Sequence, residues 1–160
     1  MSKAVITILG LTSEQKEKDR AEYTLSKELK KNLTIKDKKY TNMFPLLIDN
    51  FKEDYEILPI FTELSFEKQI KVLESEKLNF KEFKEDFKIE DEKDFSEIFY
   101  IINDALSSNY DEFIVDLTHG FRHLPILAIV NLIIHDIKDS TKIKHILFAK
   151  EIIQLKSMRL

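Results

Sequence analysis

Short apolar runs rich in β-branched residues recur along the chain, and the first of them stops at Gly10. Runs of this kind predict buried strands. Four strands are predicted, over residues 3–9, 55–61, 112–117 and 142–149. Pro59 lacks a backbone N–H, so this residue is expected at a sheet edge or at the end of its strand.

The segments between these strands carry apolar residues three and four positions apart, which predicts helices with one buried face. Helices are expected over residues 42–51, 65–73, 94–106 and 121–138. The second of them is expected to continue toward residue 78. Ser65 and Asp94 stand at the starts of two patterns, where N-terminal capping residues are preferred.

Three phenylalanines follow the same helical spacing in and beside the acidic run 81–97, and they predict an amphipathic helix with a solvated charged face: Phe80, Phe83 and Phe87. Residues 151–160 are expected to form a partial helix. Residues 21–26 and 33–35 fit either a peripheral hairpin or a helix with a loop, and this choice stays open.

The alternation of strands and helices predicts an α/β fold, a Rossmann-like and mostly parallel sheet flanked by helices. No repeat, low-complexity tract or linker rich in proline and glycine divides the 160 residues. A single domain over residues 1–160 is therefore expected. Sheets of this kind bind ligands at the carboxyl ends of their strands.

Composition excludes several kinds of site. The chain has no cysteine, so disulfides, thiolate zinc sites and cysteine nucleophiles are excluded, and a cytoplasmic location is expected. The two glycines, Gly10 and Gly120, are too few for the dinucleotide fingerprint and too far apart for the Walker loop. No apolar stretch reaches the ~20 residues of a membrane span, and we expect neither a signal peptide nor a membrane partner.

The net charge of −4 arises within residues 81–97, where eight acidic residues face four lysines. The rest of the chain is balanced, so it lacks the basic field by which proteins attract duplex nucleic acid. No duplex partner is expected. An anionic ligand would have to be held by local geometry.

Both glycines follow a predicted strand. Gly10 comes after the first strand, and Gly120 lies in the run 116–125, DLTHGFRHLP, which comes after the third. A glycine at a strand end allows a tight turn and a close approach of ligand to the backbone, and the next helix offers its N-terminus to an anion. Two such loops are expected to form one binding floor.

The run 116–125 is also the densest cluster of polar side chains beside an apolar segment. Thr118 supplies a hydroxyl and Arg122 a planar fork that suits phosphate. His119 and His123 have a spacing that zinc sites use, but no third ligand lies nearby, so neither a metal nor another cofactor is expected. Asp116 would repel phosphate, and we expect it to orient the loop by hydrogen bonds.

The same run resembles the signature of the CRISPR-associated Rossmann-fold (CARF) domain family, in the branch where a strand ends in Asp-x-Thr-His-Gly-Phe-Arg. The resemblance implies a homodimeric sensor of cyclic oligoadenylate, the messenger of type III CRISPR antiviral defence, with the ring across the two-fold axis. Carried onto this sequence, it implies the ligand-binding residues Gly10, Leu11, Thr12, Thr118, His119, Gly120, Phe121, Arg122 and His123.

Most members of this family continue into an effector, commonly a ribonuclease with an Arg-x4-6-His motif that this chain lacks. Three interpretations stay open: the sensor part of a longer effector protein, a sensor that acts on a partner protein, and a stand-alone ring nuclease. A ring nuclease would cleave the messenger without metal to linear products with 2′,3′-cyclic phosphate, and its candidate catalytic residues are Thr118, His119 and Arg122. We predict sensing, of either the tetra- or the hexaadenylate ring. A binder of single-stranded RNA fits the balanced charge less well.

Overall fold

The structure is a computed structural model. It describes residues 2–9, 24–25, 36, 40, 42–90, 94–116, 118, 143–149 and 154–158. The strands in these residues are β1 (Lys3–Ile8), β2 (Thr24–Leu25), β3 (Glu56–Ile60), β4 (Glu112–Asp116), β5 (Ile143–Ala149) and β6 (Gln154–Met158). The helices are α1 (Met43–Phe51), α2 (Glu63–Ser75) and α3 (Phe95–Leu106), with a 3-10 helix at Glu85–Phe87.

The strands form one sheet in the order β2-β6-β5-β4-β1-β3. Strands β3, β1, β4 and β5 run parallel, whereas β6 is antiparallel to β5 and pairs in parallel with β2. The α/β fold with a mostly parallel sheet is therefore confirmed. Pro59 lies in β3, at the edge of the sheet, where its missing N–H leaves no ladder bond unmade.

Both faces of the sheet are covered, which explains why its central strands read as continuous apolar runs. On one face α1 and α2 pack against the sheet, and Leu47 of α1 and Leu73 of α2 share one buried cluster with Val5 of β1. On the other face α3 packs through Ile98 and Ile102 against the alternate residues of β1, among them Ile6. The cores on the two faces are called the α1 core and the α3 core below.

The N-terminal cap of α2 differs from the prediction. Thr62 is the capping residue, and its Oγ1 accepts the N–H of Ser65 at 3.1 Å. The Ser65 Oγ accepts the N–H of Thr62 at 2.8 Å in return, so Ser65 is the second half of a capping box. Ser65, which was predicted as the cap, is therefore the third residue of the helix. Asp94 caps α3 as predicted.

The C-terminus of α2 also differs from the prediction, because the helix ends at Ser75 and does not continue to residue 78. Lys77 has a φ of 57°, the left-handed conformation that stops a helix. The N–H of Leu78 bonds the Leu73 carbonyl at 2.9 Å and the N–H of Lys77 bonds the Glu74 carbonyl at 3.1 Å. This is a Schellman motif, and Leu73 and Leu78 meet in the α1 core.

The helix predicted for the phenylalanine-rich segment is wrong, since residues 78–90 contain no α-helix and only one short 3-10 turn. Phe80 belongs to the α1 core and Phe87 to the α3 core, so the segment passes around the β3 edge of the sheet. Two hydrogen bonds fix it there, from the Phe61 N–H to the Phe87 carbonyl (3.2 Å) and from the Ile89 N–H to the Phe61 carbonyl (2.7 Å). One helical face cannot reach both cores, which is why the periodicity misleads.

The partial helix predicted for residues 151–160 is also wrong, because β6 occupies this region and pairs with β5. The free edge of β5 offers a full set of backbone partners to a five-residue segment that is too short to satisfy itself as a helix. Strand β2 falls within residues 21–26, for which the choice was open, and it pairs with β6. The helix predicted over residues 121–138 lies outside the described residues.

Candidate functional site

The carboxyl ends of β1 and β4 lie side by side at one edge of the sheet. Between β1 and β3 the chain forms β2 at the far edge of the sheet, and it then places β3 on one side of β1 and β4 on the other. In a parallel sheet the reversal of strand order opens a crevice, and ligands bind in it. The loops predicted to bind ligand, 10–12 and 118–123, follow the two strands that border this crevice.

Asp116, the last residue of β4, is the central group at this edge. Its carboxylate is fully buried. Its Oδ2 accepts the hydroxyl of Thr7 at 2.8 Å, and its Oδ1 accepts the backbone N–H of Thr118 at 3.0 Å. A buried carboxylate needs such donors, and hydrogen bonds to a charged acceptor are the strong ones. The bond to Thr118 confirms that Asp116 orients the start of the loop.

Thr118 is the first predicted ligand-binding residue after β4, and it is partly buried. Its N–H is held by Asp116, which makes a local turn of the kind that aspartate favours. Its Oγ1 is buried and has no hydrogen-bond partner among the residues that the structure describes. A hydroxyl in this state can donate to a ligand oxygen such as that of a phosphate.

On the β1 side of the crevice, the chain is anchored through Leu9. The N–H of this residue, the last before the first predicted loop, bonds the Ile60 carbonyl at 2.9 Å. The β1 end is therefore fixed on both sides, to β3 by Leu9 and to β4 by Thr7. The remaining predicted ligand-binding residues lie outside the described residues, namely Gly10, Leu11, Thr12, His119, Gly120, Phe121, Arg122 and His123.

Thr7 is the residue of this site that the sequence analysis missed. It is 1% exposed and lies opposite Asp116 in the register of the two strands. The signal available in the sequence was a single hydroxyl inside an otherwise apolar strand interior, AVITI. The sequence does not show that Asp116 is its partner, because strand register is not a local property of the sequence.

A second concavity lies beside the end of β3, between α2 and the segment that passes around the sheet edge. Its volume is about 360 Å³, and its lining combines phenylalanine rings, among them Phe61, Phe66 and Phe83, with an equal number of charged side chains. Lys88 and Glu63 form an ion pair at its rim with 2.8 Å between Nζ and Oε2. The hydrogen bond to Glu63 raises the pKa of Lys88.

The described residues contain no group of three or more histidine, aspartate or glutamate side chains placed to hold a metal ion. Within the same residues, no helix is long and apolar enough to cross a membrane.

Comparison with protein families finds a match over residues 2–151, nearly the whole chain. The matching family is described as "CRISPR system endoribonuclease Csx1, CARF domain". No curated protein matches the chain. The resemblance to CARF domains noted in the sequence is confirmed at the level of the family.

Proposed function

The chain belongs to the Csx1 CARF-domain family, and from this membership we propose that it is the ligand-sensing part of a type III CRISPR antiviral system. The ligand we propose is cyclic oligoadenylate, bound in the crevice between β1 and β4. The observation that carries the proposal is the buried Asp116 carboxylate, which holds the start of the Thr118 loop against β1 at the point where strand order reverses.

The chemistry of the two loops suits a ring of phosphodiesters. The Thr118 hydroxyl has no partner among the described residues, and Arg122 offers a fork of donors to phosphate oxygens. The Asp-x-Thr-His-Gly-Phe-Arg run, starting at Asp116, is in this proposal the signature of its branch of the family. In a homodimer each loop occurs twice about the two-fold axis, which matches a symmetric ring with one phosphate per nucleotide.

The nuclease named in the family description belongs, in this proposal, to an effector outside the sensing domain. The effector is either a further part of a longer protein or a partner protein in the cytoplasm. Ligand binding at the dimer axis changes how two copies sit on each other, and any effector joined to them responds to that change.

A second candidate function is that of a ring nuclease at the same site. The observation that favours it is the buried Thr118 hydroxyl beside an oriented backbone turn. Attack of a ribose 2′-hydroxyl on the adjacent phosphate forms the 2′,3′-cyclic phosphate and releases the 5′-oxygen, a reaction that depends on alignment and on stabilising charge at phosphate. His119 and Arg122 are the further candidates for this role.

A calorimetric titration with cyclic tetraadenylate and with cyclic hexaadenylate tests the proposal. We expect one of the two rings to bind with one ring per two chains. Arg122→Ala removes a charged phosphate donor from each copy, and we expect it to weaken binding at least about tenfold. Arg159→Ala is the matched control, because it removes the same charge from a position after β6, outside both loops.

Chromatography of the ligand recovered from the titration separates the two functions. Intact ring means a sensor, and linear product means a ring nuclease. The absence of heat with both rings would refute both functions. Equal affinity in the two arginine variants would remove Arg122 from the site.

A further inference from the structure

We propose that Thr7 is a positioning residue of this site, which sets ligand affinity without touching the ligand. It acts on Asp116, and through Asp116 on the backbone of Thr118. The inference rests on the proposed function for its ligand, and it goes beyond the two loops by assigning a role to a residue inside the sheet.

Thr7 lies inside the sheet, in strand β1. Its side chain is buried within β1, whose neighbouring residues Ile6 and Ile8 are apolar. A buried hydroxyl costs free energy unless it is hydrogen-bonded, and valine would have the same shape with a stronger preference for strands. The hydrogen bond to Asp116 at 2.8 Å accounts for a threonine at this position.

The Asp116 carboxylate connects two parts of the site. The group is planar and rigid, and its two oxygens serve two different elements, with Oδ2 toward β1 and Oδ1 toward the Thr118 N–H. A donor that fixes one oxygen therefore also fixes the direction of the other. Without the Thr7 hydroxyl, the carboxylate loses its hydrogen bond from the β1 side chain, and the direction of Oδ1 toward the Thr118 N–H is held less firmly.

The fixed carboxylate affects ligand binding through the loops that follow β1 and β4. Loops that meet a ligand in one fixed arrangement bind it more tightly, because they lose less conformational freedom on binding. The strands that carry the two predicted loops are the pair that Thr7 and Asp116 join. Thr7 thus fixes Thr118, the first described residue after β4, relative to the end of β1.

The test compares Thr7→Val, which keeps the shape and removes the hydroxyl, with Thr7→Ser, which keeps the hydroxyl. Affinity for the oligoadenylate ring that the wild-type chain binds is measured by calorimetry. We expect Thr7→Val to raise Kd about tenfold and Thr7→Ser to remain within about threefold of wild type. A Kd of Thr7→Val equal to wild type, together with a lower melting temperature, would reduce Thr7 to a purely structural role and overturn the inference.

Tyr40→Phe is the matched control. It also removes a buried hydroxyl that donates to a carboxylate, that of Asp49, at 2.5 Å. Asp49 lies in the last turn of α1, which leads to the first residue of β3. It therefore lies toward the amino ends of the parallel strands, whereas the candidate site lies at their carboxyl ends. We expect this variant to lower stability and to leave Kd unchanged.

Two further measurements keep the inference open to refutation. If Thr7→Val does not fold, Thr7→Cys replaces it, and the weak thiol donor is expected to give an affinity between wild type and a tenfold loss. Exchange of the Thr118 amide hydrogen, followed by NMR in the ligand-free protein, is expected to be faster in Thr7→Val than in Tyr40→Phe. Equal exchange would overturn the positioning role, whereas a wild-type chain that binds neither ring would refute the proposed function alone.

Discussion

Glu56, the first residue of β3, shows how strongly single side chains are paired at the amino edge of the sheet. The Tyr110 hydroxyl donates to one oxygen of its carboxylate, and the Lys84 ammonium lies 3.2 Å from the other. The hydrogen bond from Tyr110 lowers the pKa of Glu56 below its ordinary 4.5, burial opposes this shift, and Lys84 adds to it. Burial and the bond to Glu56 raise the pKa of Tyr110.

The lowered pKa of Glu56 predicts a pH-dependent contribution to stability. The contribution is present above pH 4.5, the ordinary pKa, and is lost as the pH falls below it. In that range the carboxyl group of the unfolded state takes up a proton more readily than that of the folded state, which favours unfolding. Tyr110→Phe is expected to lower the free energy of unfolding by about 0.5–1 kcal/mol at pH 7, a small value because the Glu56 side chain is 46% exposed.

Urea unfolding of wild type and Tyr110→Phe between neutral pH and about pH 3.5 measures this difference. The difference in the free energy of unfolding between the two proteins should shrink as the pH falls. Tyr100→Phe, at an exposed tyrosine of α3, is the control and should show no gap at any pH. A gap for Tyr110→Phe that stays constant over the range would contradict the assignment to Glu56.

At the scale of the element, the capping box of α2 decides where this helix begins. Thr62→Ala removes the acceptor for the Ser65 N–H and is expected to lower the free energy of unfolding by about 1 kcal/mol. Ser75→Ala is the control, because its exposed hydroxyl bonds the Val72 carbonyl in the last turn and should contribute less than about 0.5 kcal/mol. Thermal or urea unfolding shows which of the two substitutions lowers stability more. Equal losses would refute the assignment of the cap.

The elements that the sequence predicts well are those whose burial pattern is carried by the segment itself. Strand β1 and helix α3 match their predictions to within a residue at each end, as does the helix predicted over 42–51. The elements that it predicts poorly depend on partners distant in the chain. Phe80 and Phe87 serve opposite faces of the sheet, and β6 exists because β5 has a free edge.

The parts of the candidate site differ in the same way in how well the sequence predicts them. The loop sequence after β4 and the orienting role of Asp116 follow from residue types and their order. The donor on β1 does not, because it depends on which residue of one strand stands opposite which residue of another. A change of register by one residue would place Thr7 on the other face, away from Asp116.

At the scale of the whole molecule, the segment over residues 78–90 joins the two cores around the sheet edge. The Phe80 ring packs edge-to-face against Phe44 in the α1 core (centroids 5.4 Å apart), and Phe87 is buried in the α3 core. The segment also pairs with Phe61 just beyond β3, which covers part of an edge that could otherwise pair with another chain.

This connection predicts that the two cores unfold together. Phe80→Ala and Phe87→Ala alter different faces, yet each is expected to shift one and the same transition and to lower the free energy of unfolding by about 3 kcal/mol. Far- and near-ultraviolet circular dichroism in urea should give coincident curves for both variants. Leu64→Ala, at a residue that is 48% exposed, is the control and should have little effect. Separate transitions in either variant would show that the cores are independent.

The hydrogen bond from Thr7 to Asp116 also has a consequence for biosynthesis, since the two residues are 109 positions apart. A ribosome adds roughly 5–20 residues per second, so Thr7 is made roughly 5–20 seconds before its partner. During that time the nascent chain holds β1 without the strand that completes the crevice beside it. In the proposed function, recognition at this edge is therefore acquired only after β4 has been made, and a chain that stops before β4 would not compete for the ligand.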